Sequence, residues 1–488
     1  MEYKWIALTV TTIGIFMVGL DARIVIIGLP QVAYQLKADP EQAIWITQSY
    51  VLTNTLMLLL IGRLADIFGR IRIYSYGFAI FTIGSGLTSL GMDPTQVIIF
   101  RAVQGFGASL IFANSIAIVT DASPKEELGL FVGINQIAFR AGALLGLTIS
   151  GLILSFLDWR ALFYINIPVG IFGTFWARRR LKEIAALDKN RRIDWIGFGL
   201  FAIFMLSLLL ALTIGAYGSA NLNVVYALLP VSIVFLALFI IRQKRIDYPI
   251  LDLKMFKIRE VSGGVAAVLL NVIAWAAVLL LLSLHFQIIL HETPLEAGLR
   301  ILPFEIAFLA VGPLSGRLSD KFGYGRFTIT GLVLGSAAMF LLSTVTENIS
   351  YPILTVYMII LGVGTGFFLA PNLRSVMGAL PMQRRGVGSA LVSLFLNIGL
   401  TVSLNFAILF MSFTTPYNVI TRIISEFNTV NLSSADTTLF FNSIKSTYFA
   451  LAVINAMAII PSAFQLAKKA KKTLDEQHEK NAQVVSEG

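Results

Sequence analysis

Eleven residues occur twice in this chain, each time between long apolar runs. Gly62-Arg63-Leu64-Ala65-Asp66-Ile67-Phe68-Gly69-Arg70-Ile71-Arg72 returns 254 residues later as Gly316-Arg317-Leu318-Ser319-Asp320-Lys321-Phe322-Gly323-Tyr324-Gly325-Arg326, with seven of the eleven positions identical. A short loop of glycines, one acid and several bases, repeated in two halves, marks an internally duplicated transporter. Its glycines permit tight helix ends and its bases stay at a membrane surface. Each acid, Asp66 and Asp320, is placed to latch helix ends through arginines and helix N-termini. Gly62, Asp66, Gly69, Arg70, Arg72, Gly316, Asp320, Gly323 and Arg326 are therefore candidate gating residues.

This reading requires a membrane protein. The chain is 57% hydrophobic and 13% charged, with mean hydropathy +0.80, against about 25% charged residues in a soluble domain. Windows of roughly 20 apolar residues, enough to cross a bilayer, recur along it. They predict an all-α integral membrane protein with fourteen transmembrane helices, the sixth (161–177) short. Six spans precede residue 178 and six follow residue 260. The expected units are a six-helix bundle over 1–180, an inserted pair with its connectors over 181–259, a pseudo-symmetric six-helix bundle over 260–467, and a basic tail over 468–488.

Basic residues set the expected orientation. With the N-terminus inside, 29 of the 37 Lys and Arg fall in cytoplasmic segments, including Arg178–Arg180 and the 242–259 connector. The positive-inside rule then puts both termini in the cytoplasm and the chain in the cell membrane. The net charge of +10 faces an anionic leaflet and calls for no nucleic acid.

Several segments resemble the major facilitator superfamily, in particular its fourteen-helix drug:proton antiporter branch. Leu20-Asp21-Ala22-Arg23-Ile24-Val25-Ile26-Ile27-Gly28-Leu29-Pro30 is similar to that branch's first-helix motif, and Gly62–Arg72 to the superfamily's loop between helices two and three. Arg101-Ala102-Val103-Gln104-Gly105-Phe106-Gly107-Ala108 resembles the fourth-helix motif with its embedded arginine. Trp159-Arg160 with Phe163, Ile165-Asn166, Pro168 and Gly170 resembles the approach to helix six. Asp194-Trp195-Ile196-Gly197 resembles the start of the inserted pair. The resemblance implies two bundles around a central cavity and drug export by alternating access. The fifth-helix motif departs from the pattern. Leu147 stands where those exporters have proline, and Ser150 where they have glycine, so the proline kink is missing.

Five ionisable residues lie inside predicted spans: Asp21, Arg23, Arg101, Arg140 and Glu305. Each is costly in hydrocarbon and should face a cavity or a partner. At about 1.5 Å per residue, Arg101 and Glu305 fall roughly 9 Å from the outer ends of their helices, sharing the outer half with Asp21, while Arg140 is near mid-depth. Asp21 and Arg23 differ by about 200° around their helix and should serve different contacts. Asp21 is the first candidate proton carrier, with Arg101 beside it; the alternative is a permanent ion pair between helices one and four. Glu305 is the second candidate. Arg140, Gln104 and Arg23 are substrate-path candidates, although Arg23 has the alternative of snorkelling outward. Three arginines against two carboxylates suit an anionic or zwitterionic substrate as well as an apolar drug. Trp45, Trp275, Phe286 and Met57 are candidate wall residues.

No nucleotide-binding loop of the Gly-x-x-x-x-Gly-Lys type and no hydrolytic triad stands out. His285 and His291 make no convincing metal set. The expectation is a monomeric secondary transporter, not an enzyme. It needs no cofactor, draws on the proton gradient, and exports drugs or small metabolites. Uptake or exchange of an organic anion, and a non-transporting sensor, are the alternatives.

Overall fold

A computed structural model of the protein describes residues 2–123, 128–184, 192–215, 222–347, 349–380, 385–416, 419–420 and 434–465. Fourteen long helices run through the described residues: α1 (Tyr3–Leu36), α2 (Pro40–Phe68), α3 (Arg70–Ser89), α4 (Pro94–Ala122), α5 (Leu128–Phe156), α6 (Asn166–Arg180), α7 (Trp195–Gly215), α8 (Leu222–Arg245), α9 (Arg259–Leu284), α10 (Pro294–Phe322), α11 (Tyr324–Ser343), α12 (Tyr351–Gly378), α13 (Arg385–Ser412) and α14 (Ser434–Met457). Among the described residues, twelve segments are long and apolar enough to cross a membrane. The two helices missing from that set are α3, which begins Arg-Ile-Arg-Ile-Tyr-Ser-Tyr, and α6, 15 residues ending in three arginines. The tail, 468–488, lies outside the described residues.

Chain direction defines two faces. The face bearing the start of α1, Arg178–Arg180 and Arg242–Arg245 is called the basic face. Three helices leave the opposite face with the same local chemistry. Asp39 before Pro40 and Thr293 before Pro294 form capping boxes with Gln42 and Glu296, and Asp93 before Pro94 accepts from the Gln96 N–H. A short side-chain acceptor satisfies an orphan amide, and proline at the first position has no amide to lose.

On the basic face, the repeated loop becomes the same one-residue turn in each half. Gly69 joins α2 to α3 at φ +99°, and Gly323 joins α10 to α11 at φ +86°. This left-handed region is costly to any residue with a Cβ. Glycine also decides helix packing. Gly142 and Gly146 on α5 lie against the α1 backbone at Phe16 and Leu20, with no room for a Cβ. Across pseudo-symmetric positions, Gly107 meets Phe81 between α4 and α3, and Gly364 meets Gly331 and Gly335 between α12 and α11. Small residues let backbones approach where lipid offers no hydrophobic drive.

The helices α1–α6 pack on one another, as do α9–α14. The bundles meet along two seams, α5 with α10 and α2 with α13. At the first seam, Gly151 admits the backbone at Pro294–Leu295, and Gly298 admits the Leu147 carbonyl. α5 is continuous through Leu147. The inserted pair leans on the second seam: α7 touches α2 and α13, and Asn405 Nδ2 donates to the Leu209 carbonyl at 3.3 Å. Asp194 fastens the basic end of the pair. It accepts from Arg242 Nε at 2.6 Å, Gln243 Nε2 at 2.8 Å and the Gly197 amide at 2.9 Å.

Candidate functional site

Asp21 lies inside the N-terminal bundle, with no exposed surface. Its Oδ2 accepts from Arg101 Nη1 at 2.7 Å. Its Oδ1 accepts from Gln104 Nε2 at 2.9 Å and Asn166 Nδ2 at 2.9 Å. Both amides also donate to Ser85 Oγ, at 2.6 and 3.2 Å. Arg101 spreads its remaining capacity over Gln104 Oε1 at 2.7 Å and the Ile46 carbonyl at 3.3 Å. Its guanidinium carbon sits 4.3 Å from the Tyr50 ring centre and 5.5 Å from that of Phe163. Helices α1, α2, α3, α4 and α6 all contribute; none comes from the other bundle. A buried ion pair holds only when its remaining donors and acceptors are satisfied, and here both carboxylate oxygens are.

The Asp21–Arg101 pairing is legible from its motifs, whereas Gln104, expected on the substrate path, is buried inside the N-terminal bundle as a partner of Asp21 and Ser85. Asn166 was visible as part of a motif but carried no expected role, and Ser85 was missed. A lone serine in an apolar helix gives no signal until its neighbours are known.

Arg23, two residues on, points the other way and crosses between bundles. Its Nη1 donates to Glu305 Oε1 at 3.2 Å, from α1 to α10. The guanidinium carbon lies 5.1 Å from the Trp275 ring centre. Two expectations change here. Arg23 does not snorkel; a carboxylate at its own depth removes the need. Glu305 lies deeper than the expected roughly 9 Å from the outer end of its helix. α10 begins at Pro294 rather than near 299, so Glu305 lies roughly 16 Å along it, near mid-depth.

Arg140 on α5 reaches the same place. Its guanidinium carbon is 4.4 Å from the Phe308 ring centre, and its edge lies against the bare backbone of Gly312 on α10. Glu305 is the opposite charge that acts on it electrostatically. Trp275, Phe304 and Phe308 form one aromatic cluster with ring centres 6.0–6.1 Å apart. Of the other expected wall residues, Phe286 packs near Tyr351 and His285 instead.

At the second seam the ties are neutral. Thr55 and Thr401 hydroxyls meet at 3.1 Å, Asn54 Nδ2 donates to Asn397 Oδ1 at 3.4 Å, and Gln48 Nε2 donates to Asn405 Oδ1 at 3.4 Å. Asn54, Thr55, Asn397 and Thr401 lie near the middle of their helices, and Gln48–Asn405 lies nearer the opposite face.

At the repeated loop, Arg70 Nη1 grips both oxygens of Asp121 at the end of α4, at 2.7 and 2.6 Å. The Ile71 amide, in the first turn of α3, donates to Glu183 at 3.0 Å. Arg72 and Arg326 are exposed. The side chains of Asp66 and Asp320 lie outside the described ones, as does the Gly62 site; Gly316 packs loosely near Ala370.

Comparison with known proteins agrees with this architecture. The sequence model of the Major Facilitator Superfamily matches residues 11–242 and 264–486. The riboflavin transporter RibZ of Clostridioides difficile is 30% identical over 424 residues, covering 86% of this chain and 90% of that protein. The multidrug resistance protein Stp of Mycobacterium tuberculosis is 29% identical, covering 83% and 75%. The tetracenomycin C resistance and export protein of Streptomyces glaucescens is 26% identical, covering 81% and 73%. Among solved structures, a bacterial homologue of the human lysosomal transporter Spinster, in an inward-facing and unoccupied conformation, superimposes with TM-score 0.61 at 15% identity. It covers 95% of this chain and 98% of that one. The chain is a multi-pass membrane transporter, not an enzyme, and it belongs to the Major Facilitator Superfamily.

Proposed function

We propose that this chain is a proton-coupled exporter of small organic molecules, working by alternating access between units 1–180 and 260–467, with the inserted segment 181–259 riding on one seam. The observation that carries the reading is the Arg23–Glu305 pair, an ion pair joining the two bundles near mid-depth. Its ionisation is tied to whether the bundles touch. Asp21 is different: every partner it has moves with its own bundle, so rocking does not alter its surroundings. The proton-carrying role therefore passes from Asp21 to Glu305, and Asp21 and Arg101 become the fixed frame of the N-terminal bundle. Protonating Glu305 removes the attraction to Arg23 and weakens the closed half of the seam. Acid should then favour opening at the opposite face.

Relatives named for multidrug resistance and export support the direction. The basic residues support an orientation with the basic face and both termini in the cytoplasm of the cell membrane. One chain contains both bundles and the whole ionic seam, which supports a monomeric working unit. Inside-out vesicles under an imposed pH gradient, supplied with riboflavin or an aromatic drug, separate the directions. Accumulation means export, and outward movement means the uptake or exchange reading.

A substrate-independent test uses the absence of cysteine in the chain. Spin labels at Arg72→Cys and Arg326→Cys report the distance between bundle tips on the basic face. Acidification should shorten that distance in the parent. Glu305→Gln should be locked in the acid distribution at every pH. A Glu305→Gln protein that still responds to pH like the parent would sink the assignment.

A further inference from the structure

We infer that Arg140 is the recognition point for an anionic group on the substrate, so that the transported class is planar aromatic acids. This rests on the reading of the seam between bundles as the transport path. Three guanidiniums lie deep in the membrane. Arg101 has Asp21 and Arg23 has Glu305, each at hydrogen-bond distance. Arg140 has neither; among the described hydrogen bonds and ion pairs, none uses it. Its flat face rests on Phe308, and its Nη1 edge points over Gly312, where no side chain stands. Stacking leaves the N–H fork unspent, because a ring face takes no strong hydrogen bond from the edge of a guanidinium. A membrane-buried cation with no counter-ion at hydrogen-bond distance is costly, and the fork matches a carboxylate or phosphate in two parallel bonds.

Charge at the seam supports the same class. Arg23, Arg140 and Glu305 sum to one positive charge when all are ionised. An incoming anion neutralises that excess, whereas a cationic drug meets two guanidiniums for one carboxylate. The walls supply the aromatic part of the specificity. Trp275, Phe304 and Phe308 present rings beside the two arginines, and Trp275 Nε1 is a buried donor with no partner. A flat ring bearing an acid and an acceptor atom meets the rings, the fork and the indole N–H together.

The test is equilibrium binding to the purified, full-length protein in lipid nanodiscs at neutral pH. The probes are 2-naphthoate and 2-naphthylmethylammonium, which share a ring and differ in charge. The parent should prefer the acid by at least roughly tenfold, the scale of one charge-assisted bidentate contact. Arg140→Gln should erase that preference, and Arg140→Lys, which keeps the charge but loses the fork, should retain only part of it. If the glutamine variant does not fold, the lysine variant decides alone: full retention of the preference overturns the inference. Equal binding of the two probes, binding of neither, or an acid preference surviving in Arg140→Gln overturns it too. Binding at fixed pH does not depend on proton coupling. A failed preference with an intact Glu305 response removes only the substrate class. A retained preference with a pH response surviving in Glu305→Gln removes only the coupling assignment.

Discussion

In the N-terminal bundle, Asp21 on the first helix is bridged to the third and sixth by Asn166 and Ser85. In the C-terminal bundle, Asn271 on α9 donates to Asn455 on α14 at 2.7 Å, and Asn455 donates to Ser336 on α11 at 2.9 Å. First, third and sixth helices are joined in both halves, so the duplication is preserved in the polar chemistry as well as in the repeated loop. The difference is charge. The N-terminal cluster adds Arg101 from its fourth helix and becomes an ion pair, whereas the C-terminal cluster is carried by amides and a hydroxyl. Neutral groups tolerate an imperfect shell, but a buried ion pair tolerates none. One half is therefore held by a cluster that fails as a unit, and the other by bonds that fail singly.

The largest expected effect comes from breaking the charged cluster. Asp21→Asn leaves Arg101 as an uncompensated buried cation and should cost about 3–5 kcal/mol, read as a drop in the thermal unfolding midpoint in detergent. Asp21→Leu combined with Arg101→Met should recover most of that loss, since apolar isosteres often replace buried pairs without penalty. If Asp21→Asn unfolds at the parental midpoint, the frame role is wrong.

The counterpart is milder. Asn271→Leu strands Asn455 Oδ1 and should cost roughly 1–3 kcal/mol, the range for one orphaned buried group. A loss equal to that of Asp21→Asn would erase the contrast between the halves.

The smallest effect contrasts the two copies of the repeated loop. Arg70–Asp121 is partly exposed on both sides (25% and 22%), so Asp121→Asn should cost about 1 kcal/mol or less. Arg326 is exposed, and Arg326→Ala should fall within about 0.5 kcal/mol of the parent. In the spin-label assay, with the second label moved from 326 to 324, Asp121→Asn should shift the distance distribution and Arg326→Ala should not. Equal shifts would mean that both turns latch alike.

Much of this was legible in the chain. Duplication, the fourteen helices, the inserted pair and the Asp21–Arg101 partnership follow from apolar run length, a repeated loop and a pair of motifs. Local chemistry determines these, because a helix in lipid must satisfy its own backbone and cannot hide a charge. The opposite bearings of Asp21 and Arg23 also followed from helical geometry alone.

What only the tertiary structure decided is which charges cross between bundles. Arg23 and Glu305 are 282 residues apart, and neither lies in a motif that names the other. Their depths match because both helices run further outward than their apolar patterns suggest, α1 to Leu36 and α10 from Pro294. Arg140 is a substrate-path candidate from its depth alone, but its ring partner and its bare edge over Gly312 are set only by the fold. Sequence specifies what each helix must bury; the seam is set by how two independently satisfied bundles meet.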